Sequence, residues 1–279
     1  MQEVTVRELY RYPVKGFAGG PVEELVISEQ GIEGDRDFAL VGEDGGLMDQ
    51  KLTPKMASIN AELLVGGVGL ILRHAESGIY THRAREEGDA VPATWVIDEF
   101  EGIDQGDEVA DWISGIIGQQ ARLIKIGMPW TINFPVPDME LLHGKQKSKF
   151  TAASELSLTN LASLEQLNED LDEAIPMDRF RSNIVVDGIG AYEEDNMTLL
   201  GNDEVVIQQV TAAERCPIIC TDQKTGERPR NNIFAVLGET RKKTVNVFGS
   251  GLLFGNYMTV YKAGSLYVGD RLRTLAADT

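Results

Sequence analysis

The stretch that decides the fold is VEELVISEQGIEGDRDFALVGEDGGLM, residues 22–48. It contains two short apolar runs, at 25–27 and 38–41, which are separated by glycine-bearing turns. The second run is followed by EDGG, which is a strong signal for a β-hairpin. The stretch therefore predicts short strands joined by tight turns.

The same pattern continues on both sides of this stretch. Val4, Val6 and Leu9 alternate with polar residues in EVTVRELYRYPVKG, and the runs at 58–74 and 78–84 add further strands. Many short strands with turn signals at regular spacing are typical of a small barrel or sandwich. The first half of the chain is therefore predicted to be β-barrel-like.

Two segments have helical patterns instead. In GDEVADWISGIIG, Asp107 is predicted to be the N-cap and Gly118 to end the helix. In LTNLASLEQLNEDL, either Thr159 or Asn160 caps a second helix. The apolar stripe of this second helix consists of Leu161, Leu164, Leu167 and Leu171.

The second half is otherwise rich in predicted strands. RFRSNIVVDG is predicted to be a strand in which Arg179, Arg181 and Asn183 share one face. EVVIQQVTAAERCPIICTD is a strand that runs directly into the segment with both cysteines, and residues 244–275 add three more strands. The fold class predicted is α+β, mostly β.

The length of 279 residues favours two domains. We place the boundary near residue 125, which gives domains at 1–125 and 126–279. The segment 130–150 bears proline and glycine and lacks clean periodicity. It is predicted to be a long loop, either a substrate lid or an ordinary linker between the domains.

The formal net charge of −18 argues against nucleic acid and anionic membranes as partners, because both bind basic surfaces. The N-terminus lacks the pattern of a secretory signal, and the longest apolar run is too short to span a bilayer. We therefore expect a cytoplasmic protein with no membrane partner, in which a structural disulfide is not expected.

The two cysteines, Cys216 and Cys220, are a C-x3-C pair. No second pair and no histidine stands at a suitable spacing for a structural zinc site, and an iron–sulfur cluster requires four cysteines. Dithiol chemistry typically uses C-x-x-C at the start of a helix. The spacing alone leaves open whether the pair is redox-active or consists of two half-buried small apolar residues.

The sequence has no phosphate-binding glycine motif, but two elements suit an anion. The helix start at Thr159 and Asn160 offers free backbone N–H groups. Arg179 and Arg181 offer guanidinium groups, although Arg179 could instead pair with nearby carboxylates. Arg215 adds a positive charge beside Cys216, which favours a thiolate.

The arrangement of a Ser-His-Asp triad is not evident anywhere in the sequence. The carboxylates of Glu193, Glu194 and Asp195 form a short acidic run. Such a run is interpreted as a solvated loop.

Seven motifs occur in order along nearly the whole chain, and together they resemble the MOSC family. The resemblance is to its two-part form with an N-terminal β-barrel domain, as in the amidoxime-reducing components and their bacterial relatives, and the C-terminal part also resembles the tail domain of molybdenum cofactor sulfurases. The motifs are RYPVKG, GIEGDRDFALV, GDEVADWISGIIG, LASLEQLNEDL, RFRSNIVVDG, ERCPIICTDQKTGE and VFGSGLLFGNYMTVYKAGSLYVGDRL.

The resemblance implies that the chain binds the molybdenum cofactor, Mo-molybdopterin. In the family, the cysteine of an R-C-x5-D-x2-T-G pattern ligates molybdenum, which makes Cys216 the implied metal ligand and catalytic residue, with Arg215 and Asp222 beside the cofactor. A soft thiolate suits this metal. Cys220 is interpreted as a bystander.

The family's contacts to the pterin phosphate map onto residues that already suit an anion. They are Lys15, Arg36, Thr159, Asn160, Arg181 and Asn183. The chain departs from the family at two places. Gly16 follows the lysine where serine is usual, and Thr159–Asn160 stands where Thr/Ser-Glu is common.

The function that the resemblance implies is a two-electron reduction of N-hydroxylated or other N-oxygenated compounds. Because the chain has no further cysteines, the electrons are expected from a separate protein of the ferredoxin or cytochrome b5/flavin reductase type. The family description also includes pyridoxal phosphate binding. Two alternatives remain: a non-catalytic carrier of the cofactor or of sulfur on Cys216, and a β-barrel interaction protein that has lost the site.

Overall fold

The structure is a computed structural model of the 279-residue chain. It describes residues 2–95, 98–127, 149–151, 154–245 and 249–276. Most of the segment 130–150, for which a lid or a linker was predicted, lies outside the described residues.

Strands dominate the described part of the chain, and the prediction of a mostly β fold is confirmed. Both strands predicted in the opening stretch are present as β3 and β5. The strands are β1 (Glu3–Arg11), β2 (Gly20–Val22), β3 (Glu24–Ser28), β4 (Gly31–Ile32), β5 (Phe38–Gly42), β6 (Asn60–Leu63), β7 (Gly69–His74), β8 (Gly78–Arg83), β9 (Ala90–Trp95), β10 (Asp98–Asp104), β11 (Ala121–Ile126), β12 (Leu156–Asn160), β13 (Ile184–Asp187), β14 (Leu199–Gly201), β15 (Val206–Glu214), β16 (Lys242–Val245), β17 (Gly249–Lys262), β18 (Gly264–Tyr267) and β19 (Arg271–Thr274).

The α-helices of the described residues are α1 (Asp107–Ile117), α2 (Leu161–Asp170) and α3 (Ile233–Thr240). The prediction of Asp107 as the N-cap of α1 is wrong by one residue. Gly106 is the N-cap, because its positive φ of 98° suits glycine, and Asp107 is the first helical residue. Gly118 ends the helix in a left-handed conformation, as predicted.

A closed ring of seven strands forms the centre of the fold. The strands follow the order β12–β13–β1–β19–β14–β15–β17, and β17 pairs with β12 to close the ring. The β12–β13 pair is parallel and the other pairs are antiparallel. The first strand of the chain therefore lies between two strands of the second half.

The interior of this barrel is apolar. Val4, Val6 and Leu9 of β1 are fully buried there, together with residues such as Ile184 and Met258. The three β1 residues do not alternate strictly, because Leu9 comes three positions after Val6. A register shift between Val6 and Glu8 supplies the extra residue, and this β-bulge returns the following side chains to the interior.

Most other strands of the first half form two smaller sheets beside the barrel, while β3 and β4 pair with β18 in a third sheet. β5, β11, β10 and β9 form one sheet, and β6, β7 and β8 form the other. Helix α1 covers them, with Val109 and Ile113 buried against Leu40 and Leu70. The division into domains at 1–125 and 126–279 stays a prediction, since β1 belongs to the same sheet as strands from the second half.

Helices α2 and α3 pack on the outside of the barrel. Leu167 of α2 and Leu237 of α3 are buried in one apolar cluster with Phe180 and Phe254, whose rings stack at 3.8 Å between centroids. The same cluster includes Ile219, which follows Cys216 by three residues. The packing of these helices therefore fixes the cysteine segment against the barrel.

Candidate functional site

A cavity of about 430 Å³ lies where loops of the first half meet the segments that follow β15 and precede β13. Both halves of the chain contribute to its walls. The lining residues are Lys15, Gly16, Arg36, Asp49, Gln50, Lys51, Trp95, Phe150, Thr151, Ser154, Leu156, Ser157, Arg179, Phe180, Arg181, Asn183, Glu214, Arg215, Cys216, Ile218, Ile219 and Tyr257.

The charge of this cavity is opposite to that of the chain. Two of its lining residues are acidic, Asp49 and Glu214. Six are basic, although the whole chain has a net charge of −18. They are Lys15, Arg36, Lys51, Arg179, Arg181 and Arg215. Such an arrangement attracts an anionic ligand.

Arg36 and Arg181 are held by an unusual backbone and a shared network. Both have positive φ angles, 51° and 54°, which a side chain-bearing residue adopts only where its surroundings enforce them. The Nη2 of Arg36 donates to the carbonyl oxygen of Arg181 at 3.3 Å, and Arg36 also forms an ion pair with Asp35. Asp35 accepts hydrogen bonds from the side chain of Asn183 at 3.2 Å and from the backbone of Tyr12 at 2.7 Å. The network fixes both guanidinium groups at the cavity wall.

The predicted strand in RFRSN is not observed. Arg179 lies in a 3-10 helix at Met177–Phe180, and Arg181 caps it in the left-handed conformation. The strand begins only at Ile184, so the shared strand face of Arg179, Arg181 and Asn183 was wrong. All three nevertheless line the cavity.

Lys15, four residues after the end of β1, is buried at the cavity wall. Its Nζ donates to the carbonyl oxygen of Phe150 at 3.2 Å and lies 4.3 Å from the centroid of the Trp95 ring, a cation–π contact. The next residue, Gly16, has a φ of 83°, and a Cβ there would approach the Cε of Met56 to 2.5 Å. The left-handed backbone at this position therefore favours the glycine that departs from the family pattern.

The buried cations of the cavity repel one another. Burial lowers the pKa of Lys15 to about 8, and the charges of Arg36 and Arg181 act in the same direction, while Asp49 partly opposes them. Burial, together with Arg36, lowers the pKa of Arg181 to about 10. Burial also lowers the pKa of Arg215. A bound anion would relieve this cost, because it stabilises the charged forms.

Strand β15 delivers Arg215 and Cys216 to the cavity. The backbone N–H of Arg215 donates to Leu252, and its guanidinium donates to the carbonyl oxygens of Phe254 at 2.8 Å and Phe180 at 3.0 Å. The buried Nη2 of Arg215 has no hydrogen-bond partner among the described residues. Such an unsatisfied donor is costly and suits an acceptor on a ligand.

Sequence reasoning missed a buried pair of glutamines, of which Gln50 lines the cavity. Gln50 and Gln223 exchange two side-chain hydrogen bonds of 3.0 Å each, and both residues are buried. Gln50 also donates to the carbonyl oxygen of Gly16, and the Oε1 of Gln223 accepts from Arg181. No local pattern indicates this pair, since its members are 173 residues apart.

Asp222 does not line the cavity. Its Oδ2 accepts from Arg179 at 2.9 Å, and its Oδ1 accepts from the backbone of Lys224 and Thr225. The pairing of Arg179 with a nearby carboxylate, one of the two sequence hypotheses, is therefore observed. The contact of Asp222 with the cofactor stays a prediction.

Thr159 and Asn160 also lie outside the cavity lining, and both are fully buried. Thr159 belongs to β12, and Asn160 caps α2 by accepting from the N–H of Ala162 at 3.2 Å. The Nδ2 of Asn160 donates to the carboxylate of Glu194 at 3.2 Å. The role of these residues at a cofactor phosphate stays a prediction.

The interpretation of the acidic run as a solvated loop is wrong for its central member. Glu194 is fully buried, and the hydroxyl of Ser163 donates its one proton between the two oxygens of the Glu194 carboxylate, at 2.7 and 2.8 Å. Asp195 is partly buried and pairs with Arg241 at 2.7 Å. Of the run, Glu194 faces the start of α2, where negative charge is favourable.

The two cysteines have different surroundings, and both are free thiols. Cys216 lines the cavity, whereas Cys220 packs against the apolar cluster of α2 and α3. Burial raises the pKa of the Cys220 thiol. Within the described ranges, no group of three or more His, Cys, Asp or Glu residues is placed to hold a metal ion. A metal here would therefore depend on ligands other than protein side chains in addition to Cys216.

Comparisons with known proteins identify the two parts of the chain. Residues 3–120 match the MOSC N-terminal beta barrel domain, and residues 145–273 match the MOSC domain. The chain belongs to the MOSC family. Strand β1 lies in the N-terminal match, while its barrel neighbours β13 and β19 lie in the MOSC match, so the two matched regions share one barrel.

Several curated proteins are similar to this MOSC protein along most of its length. Mitochondrial amidoxime-reducing component 1 of Homo sapiens is 27% identical, covering 97% of this chain and 83% of the relative. Mitochondrial amidoxime reducing component 2 of Rattus norvegicus is 28% identical with the same coverage. Molybdenum cofactor sulfurase of Bos taurus is 27% identical over 89% of this chain, which corresponds to 30% of that longer protein.

One feature bears on location. Among the residues that the structure describes, no helix combines the length and the apolar character that crossing a membrane requires.

The residues of the cavity fit a ligand that combines a soft metal with an anionic group. Cys216 offers one soft sulfur donor at the wall, and thiolates are suitable ligands for soft metal centres. The orphaned Nη2 of Arg215 and the crowded cations around it offer charge-assisted hydrogen bonds to phosphate oxygens.

Proposed function

We propose that this MOSC protein binds the molybdenum cofactor and reduces N-hydroxylated or other N-oxygenated compounds with electrons from a separate redox protein. One observation carries the proposal. A single cavity joins the thiol of Cys216 to buried cations from both halves of an acidic chain. The names of the relatives, which are amidoxime-reducing components, support the reaction class.

The residues at the wall would divide the work of binding. Cys216 would hold the metal, while Lys15, Arg36, Arg181 and Arg215 would hold the phosphate by charge and hydrogen bonds. Asn183 positions Arg36, since its Oδ1 accepts from Nη1 at 3.4 Å. The protein supplies binding and orientation, and the bound cofactor supplies the two-electron chemistry.

The reaction balances with two electrons and two protons. R–NH–OH + 2 e⁻ + 2 H⁺ gives R–NH₂ + H₂O, so the N–O bond breaks and the oxygen leaves as water. The electrons come from the separate carrier and the protons from solvent. We propose the cytoplasm as the compartment, because the two thiols are free and reduced cysteines are usual there.

Metal content tests the ligand assignment. The chain is produced in a host that makes the cofactor, and molybdenum and pterin are measured per protein for wild type, Cys216→Ser and Cys220→Ser. We expect wild type and Cys220→Ser to bind close to one molybdenum and Cys216→Ser to retain less than about a tenth, because a metal–thiolate bond is lost. Equal retention by Cys216→Ser would overturn the assignment.

Turnover separates the reductase from the carrier. Protein that holds molybdenum is supplied with reduced methyl viologen and benzamidoxime, and benzamidine is measured. Formation of benzamidine that depends on Cys216 supports the reductase. Bound molybdenum without turnover would favour the carrier, and absence of molybdenum from wild type would favour an interaction protein that has lost the site.

A further inference from the structure

The surface beside the cavity is basic, in contrast to the rest of the chain. Residues 49–58 and 221–230 contain five basic and three acidic residues, whereas the whole chain has 26 basic and 44 acidic residues. Asp49 and Asp222 are engaged in hydrogen bonds within their own turns. All five basic residues of these segments are exposed, and we call them the basic rim: Lys51, Lys55, Lys224, Arg228 and Arg230.

Direct contacts join the two segments of the basic rim. Arg228 donates from Nη1 to the carbonyl oxygen of Lys51 at 3.0 Å and from Nη2 to that of Gln50. A Cβ on Gly226 would lie 2.8 Å from the Cα of Lys55, so the two backbones touch. The five cations therefore form one surface rather than two separate patches.

The basic rim is also next to Cys216. Lys51 lines the same cavity as Cys216, and its charge acts on Glu214. The charge of Arg228 acts on Cys220, four residues after Cys216. A partner bound to the rim would therefore lie at the cavity.

Exposed apolar residues accompany these cations. Leu52, between Lys51 and Lys55, is 91% exposed, and Pro217 immediately after Cys216 is exposed as well. An exposed apolar centre with charged residues at its edge is the usual composition of a protein–protein interface. A partner that docks beside the cavity would cover the exposed side chain of Leu52, which therefore fits the centre of a docking surface.

We propose that the basic rim, with Leu52 at its centre, is the docking surface for an acidic one-electron carrier protein. This inference rests on the proposed reductase function. The carrier delivers one electron in each encounter, so two encounters supply the two electrons that break the N–O bond. Each time, the carrier leaves in its oxidised form.

Local charge explains why an acidic partner can bind to a chain that is itself acidic. At physiological ionic strength the Debye length is about 8 Å, so distant acidic residues are screened while the rim acts at close range. An acidic carrier is therefore attracted where the rim lies, next to the cavity. Complementary charge of this kind sets the orientation and the association rate more than the final affinity.

Charge reversal on the rim tests the docking surface. The variant Lys55→Glu/Lys224→Glu/Arg230→Glu changes three exposed residues that do not line the cavity. The matched control is Lys262→Glu, because Lys262 pairs with Val206 at the end of β15 that lies about 26 Å from Glu214. The probe is a reduced plant-type [2Fe–2S] ferredoxin, an acidic carrier, and reduced methyl viologen is the small-molecule donor.

We expect the rim variant to raise the KM for the ferredoxin by about tenfold, because lost electrostatic steering lowers the association rate. The rim variant keeps the wild-type turnover with methyl viologen and the wild-type molybdenum content. The Lys262→Glu control keeps the wild-type values of both, and its KM for the ferredoxin is unchanged. The KM of wild type rises with salt, and this rise is weaker in the variant.

Two outcomes would overturn the docking surface: an unchanged KM for the rim variant, or an equal rise in Lys262→Glu. A failure of wild type with methyl viologen would instead contradict the proposed reductase function. Chemical cross-linking of ferredoxin to Lys55 and Lys224, followed by mass spectrometry, tests the surface without turnover. Cross-links confined to lysines outside the basic rim would also overturn it.

Discussion

The guanidinium groups of Arg36 and Arg181 both lie against the ring of Tyr12, each with its Cζ 4.6 Å from the ring centroid. Tyr12 is 3% exposed, and burial raises its pKa to about 12. A neutral aromatic ring therefore contacts two cations that share one cavity wall. Because the face of an aromatic ring is electronegative, the ring offsets part of their repulsion.

Tyr12→Leu should remove both cation–π contacts at once. We expect the free energy of unfolding to fall by about 2–4 kcal/mol, because a large buried side chain is shortened and two charges lose their support. Urea denaturation measures this change. The matched control is Tyr12→Phe, which keeps the ring and loses only the hydroxyl that donates to Ser182 at 3.3 Å. It should cost about 1 kcal/mol, and equal losses in both variants would contradict the role of the ring.

The lowered pKa of Lys15 predicts pH-dependent anion binding. Sulfate serves as the probe, since it does not titrate in the range tested. Because the pKa of Lys15 is about 8, its ammonium is charged at pH 7 and largely neutral at pH 9. We expect the affinity for sulfate to be constant below pH 7 and to fall about tenfold between pH 7 and pH 9.

The variant Lys15→Arg is the control for this titration. Arginine keeps its charge over the whole range, so the affinity of the variant for sulfate should not vary between pH 7 and pH 9. Isothermal titration calorimetry measures both proteins. A parallel fall in the two proteins would show that another group titrates.

Gly255→Ala should disturb the support of Arg215. Gly255 has a φ of 69°, and a Cβ there would lie 2.4 Å from the carbonyl oxygen of Leu158 and 3.4 Å from Nη2 of Arg215. The control is Gly78→Ala, which has a similar φ of 77° but open space around it. We expect a loss of about 1 kcal/mol in unfolding free energy for Gly78→Ala and of about 3 kcal/mol or more for Gly255→Ala. Urea denaturation that gives equal losses would show that the collision is relieved.

Glu194 should make stability fall as the pH rises. Burial raises its pKa above the ordinary value of 4.5, although hydrogen bonds from Ser163 and Asn160 oppose this. The folded state therefore holds the proton more tightly than the unfolded state. The resulting stability is full below pH 4.5 and is lost as the pH rises through the raised pKa.

The variant Glu194→Gln isolates this contribution. Glutamine does not titrate, so the fall in unfolding free energy above pH 4.5 should be smaller in the variant than in wild type. Urea denaturation at several pH values between 4 and 7 measures both. Identical pH profiles would exclude Glu194 as the source.

Local patterns predicted the strands and the helix ends well. The strands β3 and β5, the cap at Asn160 and the stop at Gly118 all follow from turn and capping residues, whose preferences are local. The same reasoning failed at Arg181. A residue other than glycine adopts a left-handed backbone only with the support of distant contacts. Here the guanidinium of Arg181 donates to the carbonyl oxygen of Phe17 at 2.7 Å.

The site was predictable only where its residues carry a recognisable chemistry. Lys15, Arg36, Arg181, Arg215 and Cys216 line one cavity, and their role at a cofactor stays a prediction. The glutamine pair and the burial of the acidic run were not predictable, because each depends on partners far away in the sequence. Polar residues of this kind are interpreted as exposed until the fold shows what surrounds them.

The position of β1 also sets the order in which this chain can be assembled during synthesis. Its two barrel neighbours, β13 and β19, begin at Ile184 and Arg271, which are 173 and 260 residues after Arg11 at the end of β1. Until then β1 lacks the two strands that flank it in the barrel, and the cavity wall that contains Lys15 lacks the facing residues of the second half. Pairing over such separations is slow, so the cavity is among the last parts of the protein to form.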